Sequence, residues 1–323
     1  MTPSGLPEWA QINSIDIHPF ERGGAYLAAT RYKSDDFRPY LYRTTDWGRS
    51  WQGITGGIPE DEFTRVVRAD PDRRGLLYAG TEQGIYYSQD DGRSWQSLQL
   101  NLPITPITDL AVKEQNLVAA TQGRGYWILD YLTVLHQDNA DVREKAAHLF
   151  IPRKSIRLTA GGYTDEPGSA GTNPAVGAVI YYSLVEALTP DTEISLSVYD
   201  SQGMDPVWTW TRKLESADDE ESNGGPNTPP DLRLLTAEQG LNRFAWDLRY
   251  PGMERFDKLI MWADMRSGPK AVPGEYLARL TVGNVTEEAN FDVIADPRSQ
   301  SERTDYQTQF DFIIGTRDLL APA

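Results

Sequence analysis

The sequence predicts an all-β chain: a partial β-propeller of about three blades, then an Ig-like β-sandwich, then a short C-terminal helix. Three observations carry this reading. The octets Thr44-Thr45-Asp46-Trp47-Gly48-Arg49-Ser50-Trp51 and Ser88-Gln89-Asp90-Asp91-Gly92-Arg93-Ser94-Trp95 share one pattern and lie 44 residues apart, roughly the length of one blade. Short strand-like segments recur around both octets. Further on, alternation in Ile194, Leu196, Val198 and in Tyr276, Ala278, Leu280, Val282 reads as strands with one buried face.

Both octets fit [S/T]-x-D-x-G-x-[S/T]-W, and each position has a physical use. Thr44 or Ser88 ends one strand. Gly48 or Gly92 permits a positive φ in the tight turn. The carboxylate of Asp46 or Asp90 can accept bonds from turn N–H groups, with Ser50 or Ser94 beside it. Trp51 or Trp95 starts the next strand and lays its ring on the blade. Asp46 and Asp90 are therefore read as turn fasteners before they are read as catalytic acids.

The first blade is expected from Ile12–His18, Ala25–Tyr32, Pro39–Thr45 and Trp51–Thr55, the second from Thr64–Arg68, Leu76–Thr81, Ile85–Ser88 and Trp95–Leu100. A third uses Ile107–Val112, Leu117–Thr121 and Tyr126–Leu129, with Asp130-Tyr131 where a third octet would stand. Propellers usually close with about four to eight blades. Residues 1–137 supply fewer, so the chain is read as part of a longer protein whose other blades are its partners. In isolation it is expected to self-associate through its uncovered blade faces.

Residues 138–175 are read as a connector with one helix over Asp141–Leu149 and a Gly-, Pro- and Thr-rich loop over 161–174. Sandwich strands are expected in 176–297, at Gly177–Leu184, Glu193–Tyr199, Val207–Arg212, Leu241–Leu248, Gly274–Val282 and Glu288–Ile294. The acidic, Asn/Gly/Pro-rich insert 215–231 reads as a disordered loop, and its acids lack EF-hand spacing for calcium. Residues 298–323 open on a capping box, Thr304-Asp305-Tyr306-Gln307. Tyr306, Phe310, Ile313 and Ile314 follow at helical spacing, as the start of a region whose packing partner is missing.

Composition narrows the function. The net charge of −16 over 323 residues argues against nucleic acid and anionic membranes as partners. With no cysteine, disulfides, Cys–zinc sites and thiol catalysis are excluded. His18, His136 and His148 show no metal-ligand spacing, and there is no phosphate loop and no G-x-S-x-G elbow, so no cofactor and no metal are expected. Met1-Thr2-Pro3-Ser4-Gly5 has neither the basic start nor the apolar core of a signal peptide, and no stretch reaches the ~18 apolar residues of a membrane helix. Asn284-Val285-Thr286, a glycosylation-acceptor pattern, is read as a hairpin turn.

The octets are the Asp-box pattern of sialidase-like and sortilin-like propellers. Over nearly its whole length the chain resembles bacterial sortilin-like Asp-box (BNR repeat) proteins often labelled glycosyl hydrolases. Pro39-Tyr40-Leu41-Tyr42-Arg43-Thr44-Thr45-Asp46 and Gly75-Leu76-Leu77-Tyr78-Ala79-Gly80-Thr81-Glu82 are similar to that group's late blades. Ala120-Thr121-Gln122-Gly123-Arg124-Gly125-Tyr126-Trp127-Ile128-Leu129-Asp130 is similar to its propeller end. Asn242-Arg243-Phe244-Ala245-Trp246-Asp247-Leu248-Arg249-Tyr250-Pro251 and Pro273-Gly274-Glu275-Tyr276 resemble its Ig-like domain. The resemblance implies a periplasmic or extracellular location and Asp boxes that sit on the outer rim. It transfers no catalytic residue: the Asp pair of xyloglucanase-type relatives and the arginine triad of sialidases have no match here.

Two constellations remain as candidates. Glycosidases need two carboxylates ~5–10 Å apart; Glu82, Asp109 and Asp130 lie near blade-strand ends, where they would face the propeller centre, and Asp109 with Asp130 is the testable pair. Arg124, Tyr126 and Trp127, in a loop flanked by Gly123 and Gly125, place a cation beside aromatic faces, which suits a carboxylate, a sugar or a peptide. The bland alternatives are turn acids paired to arginines and an ordinary strand turn. Two functions follow: a non-catalytic binding or scaffold module recognising peptide or glycan, or the C-terminal portion of a secreted glycoside hydrolase whose catalytic residues precede residue 1.

Overall fold

The computed structural model describes residues 2–158, 174–189, 191–201, 203, 205–213, 235–253 and 268–320. The chain divides into two compact units, 1–136 and 137–323, and its elements are almost all strands.

The first unit holds three blades. Strands β1 (Gln11–Ile17), β2 (Ala25–Arg31), β3 (Asp36–Thr44) and β4 (Gln52–Gly53) pair in sequence order as an antiparallel sheet. So do β5 (Thr64–Ala69), β6 (Leu77–Thr81), β7 (Ile85–Ser88) and β8 (Gln96–Ser97). The third blade has β9 (Ile107–Lys113), β10 (Asn116–Thr121) and β11 (Tyr126–Leu129). Each first strand carries the same irregularity. Asn13, Arg65 and Thr108 are stepped over, so that Ser14 pairs with Ala28, Val66 with Gly80 and Asp109 with Ala120. This shared bulge superimposes the blades residue by residue.

Alternation then sends successive residues to opposite neighbours. Val67, Leu77 and Ala79 share a core with Tyr26, Ala28 and Leu41 of the first blade. Val66, Leu76, Tyr78 and Ile85 share another with Leu110, Leu117 and Ala119 of the third. Each fully buried aliphatic side chain contributes roughly 1.5–3 kcal/mol. The approach is close: a Cβ on Gly80 would stand 2.7 Å from both Ile107 Cγ2 and Val66 Cγ1. After β11 come α1 (Thr133–Gln137) and α2 (Ala140–Glu144).

The second unit is a β-sandwich. One sheet orders β12 (Ala147–Leu149), β14 (Ala178–Leu184) and β17 (Gly240–Trp246). The other orders β13 (Ser155–Arg157), β19 (Val285–Ala295), β18 (Gly274–Val282), β15 (Glu193–Asp200) and β16 (Trp208–Lys213). Ile180, Tyr182 and Trp246 from the first sheet and Leu196, Val198, Ala278 and Phe291 from the second form one core.

Five expectations are corrected. The stretch 138–175 is not only a connector: it supplies β12 and the parallel-paired β13 to the two sheets. The helix expected over Asp141–Leu149 stops at Glu144, because buried Ala147 and Leu149 alternate with half-buried His148 and pair with Tyr182 and Leu184. The terminal helix α3 (Arg303–Leu320) already includes Thr304, and its start is closed by Asp305 Oδ2 accepting from the Glu302 amide at 2.8 Å. This helix also has a packing partner. Tyr306 is buried under the Arg157 guanidinium at 4.6 Å, and Phe310 meets the Tyr250 ring edge-on at 4.6 Å. Ile313 remains exposed. Asn284 lies between β18 and β19, whereas Val285 and Thr286 belong to the strand. The insert 215–231 and loop residues 161–173 lie outside the described residues. No helix among the described residues is long and apolar enough to cross a membrane.

Candidate functional site

Antiparallel pairing gives each blade two ends. The β3–β4 and β7–β8 turns, which carry the two octets, lie at one end. The β2–β3, β6–β7 and β10–β11 loops lie at the other.

At the first of these ends the two octets build one network twice. Thr44 Oγ1 donates to Asp46 Oδ1 at 2.9 Å and accepts from the Gly48 amide at 3.0 Å. Asp46 accepts from the Ser50 amide (2.8 Å) and hydroxyl (2.6 Å). In the second copy Ser88 donates to Asp90 at 2.8 Å, the Gly92 amide donates to Ser88 at 2.8 Å, and Ser94 donates twice to Asp90, at 2.9 and 2.7 Å. The turn is left-handed at two successive residues: φ is 66° and 75° at Trp47 and Gly48, 62° and 85° at Asp91 and Gly92. The Ser50 hydroxyl and then its amide lower the Asp46 carboxyl to about 2. Burial opposes the shift at Asp90, but the Ser94 and Ser88 bonds outweigh it and the carboxyl again lies low. The tryptophans differ. Trp95 is buried and donates Nε1–H to the Ile54 carbonyl of the preceding blade at 2.7 Å, whereas Trp51, expected to be buried likewise, is half-exposed.

The register separates Asp109 from Asp130. Asp109 pairs with Ala120, and Ala120 with Tyr126 at the start of β11. Asp130 follows Leu129, at the far end of that strand. Four residues of strand are roughly 13 Å, and two strand spacings add to this, so the pair does not meet the carboxylate separation of a glycosidase. Asp109 instead binds Arg68 Nη2 at 2.6 Å. Arg68 threads all three inner strands: its Nη1 donates to Ser14 Oγ at 3.0 Å and its Nε to the Leu110 carbonyl at 2.9 Å.

Arg124, Tyr126 and Trp127 occupy the loop end. The Arg124 amide donates to Thr121 Oγ1 at 3.1 Å, Trp127 Nε1 donates to the Arg124 carbonyl at 3.1 Å, and Tyr126 is 80% exposed. At the same end the structure assembles a second cluster that sequence reasoning missed. The Tyr32 and Phe63 rings stack at 4.8 Å and 12°. The Arg65 guanidinium lies 5.6 Å from the Tyr32 ring and 5.1 Å from Phe63, and its Nε donates to Glu82 at 2.6 Å. Exposed Phe37 stands 6.1 Å from Phe63. The available signal was Phe63-Thr64-Arg65 at the start of a strand, opposite Thr81-Glu82 in register.

Two further carboxylates of this end, Asp36 and Glu62, are engaged. Asp36 binds Arg38 at 2.8 and 2.9 Å and accepts from Tyr40 at 2.7 Å, so the Arg38 side chain above all holds it far below the usual range. Glu62 accepts from the Thr81 and Tyr86 hydroxyls, each at 3.1 Å.

Asp70, Asp72 and His136 bring possible metal-ligand atoms within 4.8 Å of one another. Both Asp70 oxygens are already occupied. Oδ1 accepts from the Asp72 and Arg73 amides, and Oδ2 from Tyr78 and His136. That arrangement suits a buried acid held by the protein rather than an ion site.

The fold defines an all-β protein, a partial propeller joined to a sandwich. No family model matches the sequence, and no curated protein matches it. Among solved structures the chain is similar to YCF48 bound to D1 peptide, at 22% identity over 39% of this chain and 40% of that one, with a TM-score of 0.30. It is similar to the GH74 enzyme of Niastella koreensis at 13% identity over 54% and 28%, TM-score 0.32. With the GH74 xyloglucanase from Xanthomonas campestris the figures are 17% over 56% and 28%, TM-score 0.32. The chain spans 40% or less of the length of each of these three proteins.

Proposed function

We propose that this chain is a non-catalytic recognition module of a sortilin-like Asp-box protein, its blades followed in sequence by an Ig-like sandwich. Its ligand is a peptide or glycan outside the cytoplasm, held at the loop end by Arg65, Phe37 and Tyr126. Aromatic faces next to an anchored guanidinium match sugar rings and the carboxylates or amides of peptides. The observation that carries the reading is the state of the acids: Asp36, Glu62, Glu82 and Asp109 each serve an arginine or a hydroxyl. A glycosidase needs one carboxyl free to give a proton and another free to attack or to activate water. The Asp boxes, bonded within their own turns, fasten the blades in this account and do not touch the ligand. The test is an array of glycans and peptides probed with the full chain and with Arg65→Ala. Retention that Arg65→Ala abolishes, at an unchanged unfolding midpoint, supports the site. Equal retention by both proteins moves the site elsewhere.

A further inference from the structure

Arg65 and Arg68 each hold an acid, as Arg279 and Arg298 do in the sandwich. Three half-buried cations of the sandwich depart from this pattern. Arg157 donates from Nε to the Ala271 carbonyl and from Nη2 to Gln309 Oε1, both at 2.9 Å. Arg249 donates from Nη1 to the Gly268 carbonyl at 2.8 Å, and Lys270 from Nζ to the Leu158 carbonyl. Among the described residues none of the three has an ion-pair partner. They also crowd one another. Arg249 stands opposite Lys270 in a β-bridge, and Ala271, the next residue, accepts from Arg157. Burial lowers the Arg157 pKa against the effect of Tyr306, and Arg249 lowers it further. At Lys270 burial, Arg249 and Arg157 all act downward, opposed by Asp247. A cation withdrawn from water without a counter-charge is costly, and an anchored guanidinium is shaped to take a carboxylate.

Arg157 lines an open cavity of about 560 Å³ between the end of β19 and the start of α3, together with Ser299, Ser301, Asp305, Tyr306 and Gln309. Its Nη1 has no acceptor among the described residues. Two carboxylates share the wall, and both are partly spent. Asp296 takes Arg298 through both oxygens, at 2.9 and 2.7 Å, and that side chain above all holds it at about 2. Asp305 Oδ2 accepts from the Glu302 amide at 2.8 Å, which leaves Oδ1 as an acceptor. We propose that this cavity binds a small organic acid, its carboxylate on the outer edge of Arg157 and its neighbouring O–H or N–H groups on Asp305, Ser299 and Ser301. A sugar acid and an amino acid both carry that chemistry, a carboxylate flanked by donors. The mixed wall disfavours phosphate: Arg298 is already paired, and a dianion meets Asp296 and Asp305 at close range. The site uses neither Arg65 nor the loop end of the blades, so it stands or falls apart from the reading given above.

The test is calorimetric titration of the full chain with D-glucuronate and with L-serine, each beside its methyl ester, and with inorganic phosphate. One of the two acids is expected to bind at least tenfold more tightly than its ester and than phosphate. Binding of glucuronate marks a sugar acid as the ligand class, and binding of serine an amino acid. Arg157→Gln is expected to weaken that binding at least tenfold. Arg157 also covers Tyr306, so a second variant guards against a folding defect. Ser301→Phe, at an exposed position on the cavity wall, obstructs the cavity without touching the Arg157 anchors, and is expected to lose binding at the wild-type unfolding midpoint. Arg65→Ala is expected to bind as the wild type does. No heat from either acid at roughly 10 mM, equal binding of acid and ester, phosphate binding as tight as the acid, or binding that survives both Arg157→Gln and Ser301→Phe overturns the proposal.

Discussion

Tyr26 and Tyr78 occupy the same register position in successive blades, and each gives its hydroxyl to a buried or half-buried carboxylate. Tyr26 donates to Asp91 Oδ1 at 2.8 Å, and Tyr78 to Asp70 Oδ2 at 3.0 Å. Around these bonds histidine and acid change places. The residue after β1 is His18, 3.6 Å from Asp91, while the residue after β5 is Asp70, 2.9 Å from His136. Both knots tie a blade to a later part of the chain. Burial raises the Tyr26 hydroxyl above its ordinary range, with the Asp91 bond adding to it.

The Asp70 knot is the costlier one to cut. Burial alone would raise this carboxyl, but His136, the Asp72 amide and Tyr78 outweigh it and hold it low. Asp70→Ala strands two amides, a tyrosine and a histidine, and is expected to cost ~3–5 kcal/mol, as for a broken buried pair. Tyr78→Phe removes one of four donors and is expected to cost ~1–2 kcal/mol. Urea denaturation of the two variants checks the order.

His18 predicts a pH dependence near neutrality. Its Nδ1 accepts from the Phe20 amide at 3.1 Å, so the ring proton sits on Nε2, which has no hydrogen-bond partner. Burial lowers its pKa, against the raising effect of Asp91 and Glu21 and with the help of Arg43 and Arg74. The unfolded chain therefore binds the proton first as pH falls. The His18 contribution is fully present above the unfolded value of about 6.5 and is lost as pH drops towards and through the folded one. The unfolding midpoint should fall between pH 7 and pH 5, and His18→Gln should flatten that slope. An equal slope in wild type and variant would reject the assignment.

The two octet aspartates act lower on the scale. Asp46, at about 2 when folded, and Asp90, also lowered, stabilise above the unfolded aspartate value of about 4. That stabilisation is lost as pH falls through their folded values. Asp90→Ala is expected to cost ~1–3 kcal/mol through orphaned turn donors, and Asp46→Ala, at a more exposed turn, less. Circular dichroism melts between pH 5 and pH 2 should show a shallower acid loss for Asp90→Asn than for wild type.

The blades were legible because their signals are local. Thr44 to Trp51 and Ser88 to Trp95 each fix a turn within eight residues, and the strands beside them alternate. The strands β12 and β13 were not legible, since three residues carry no period and both are held by partners distant in sequence, such as Tyr182 and Val293. The loop-end cluster was hidden for the same reason. Arg65 meets Glu82 and Tyr32 only after β5 pairs with β6 and the first blade packs alongside. Asp109 and Asp130 looked like a pair because both lie near strand ends, and only the register shows that these are opposite ends of the blade.

The central claim, recognition without catalysis, is tested most directly by product analysis. The full chain is incubated with xyloglucan and a panel of other β-glucans, and new reducing ends are counted alongside retention on the same polymers. The account predicts no release above a protein-free control, with any retention dependent on Arg65 and insensitive to Asp109→Asn. Reducing ends that accumulate in proportion to protein and vanish in Asp109→Asn would contradict it.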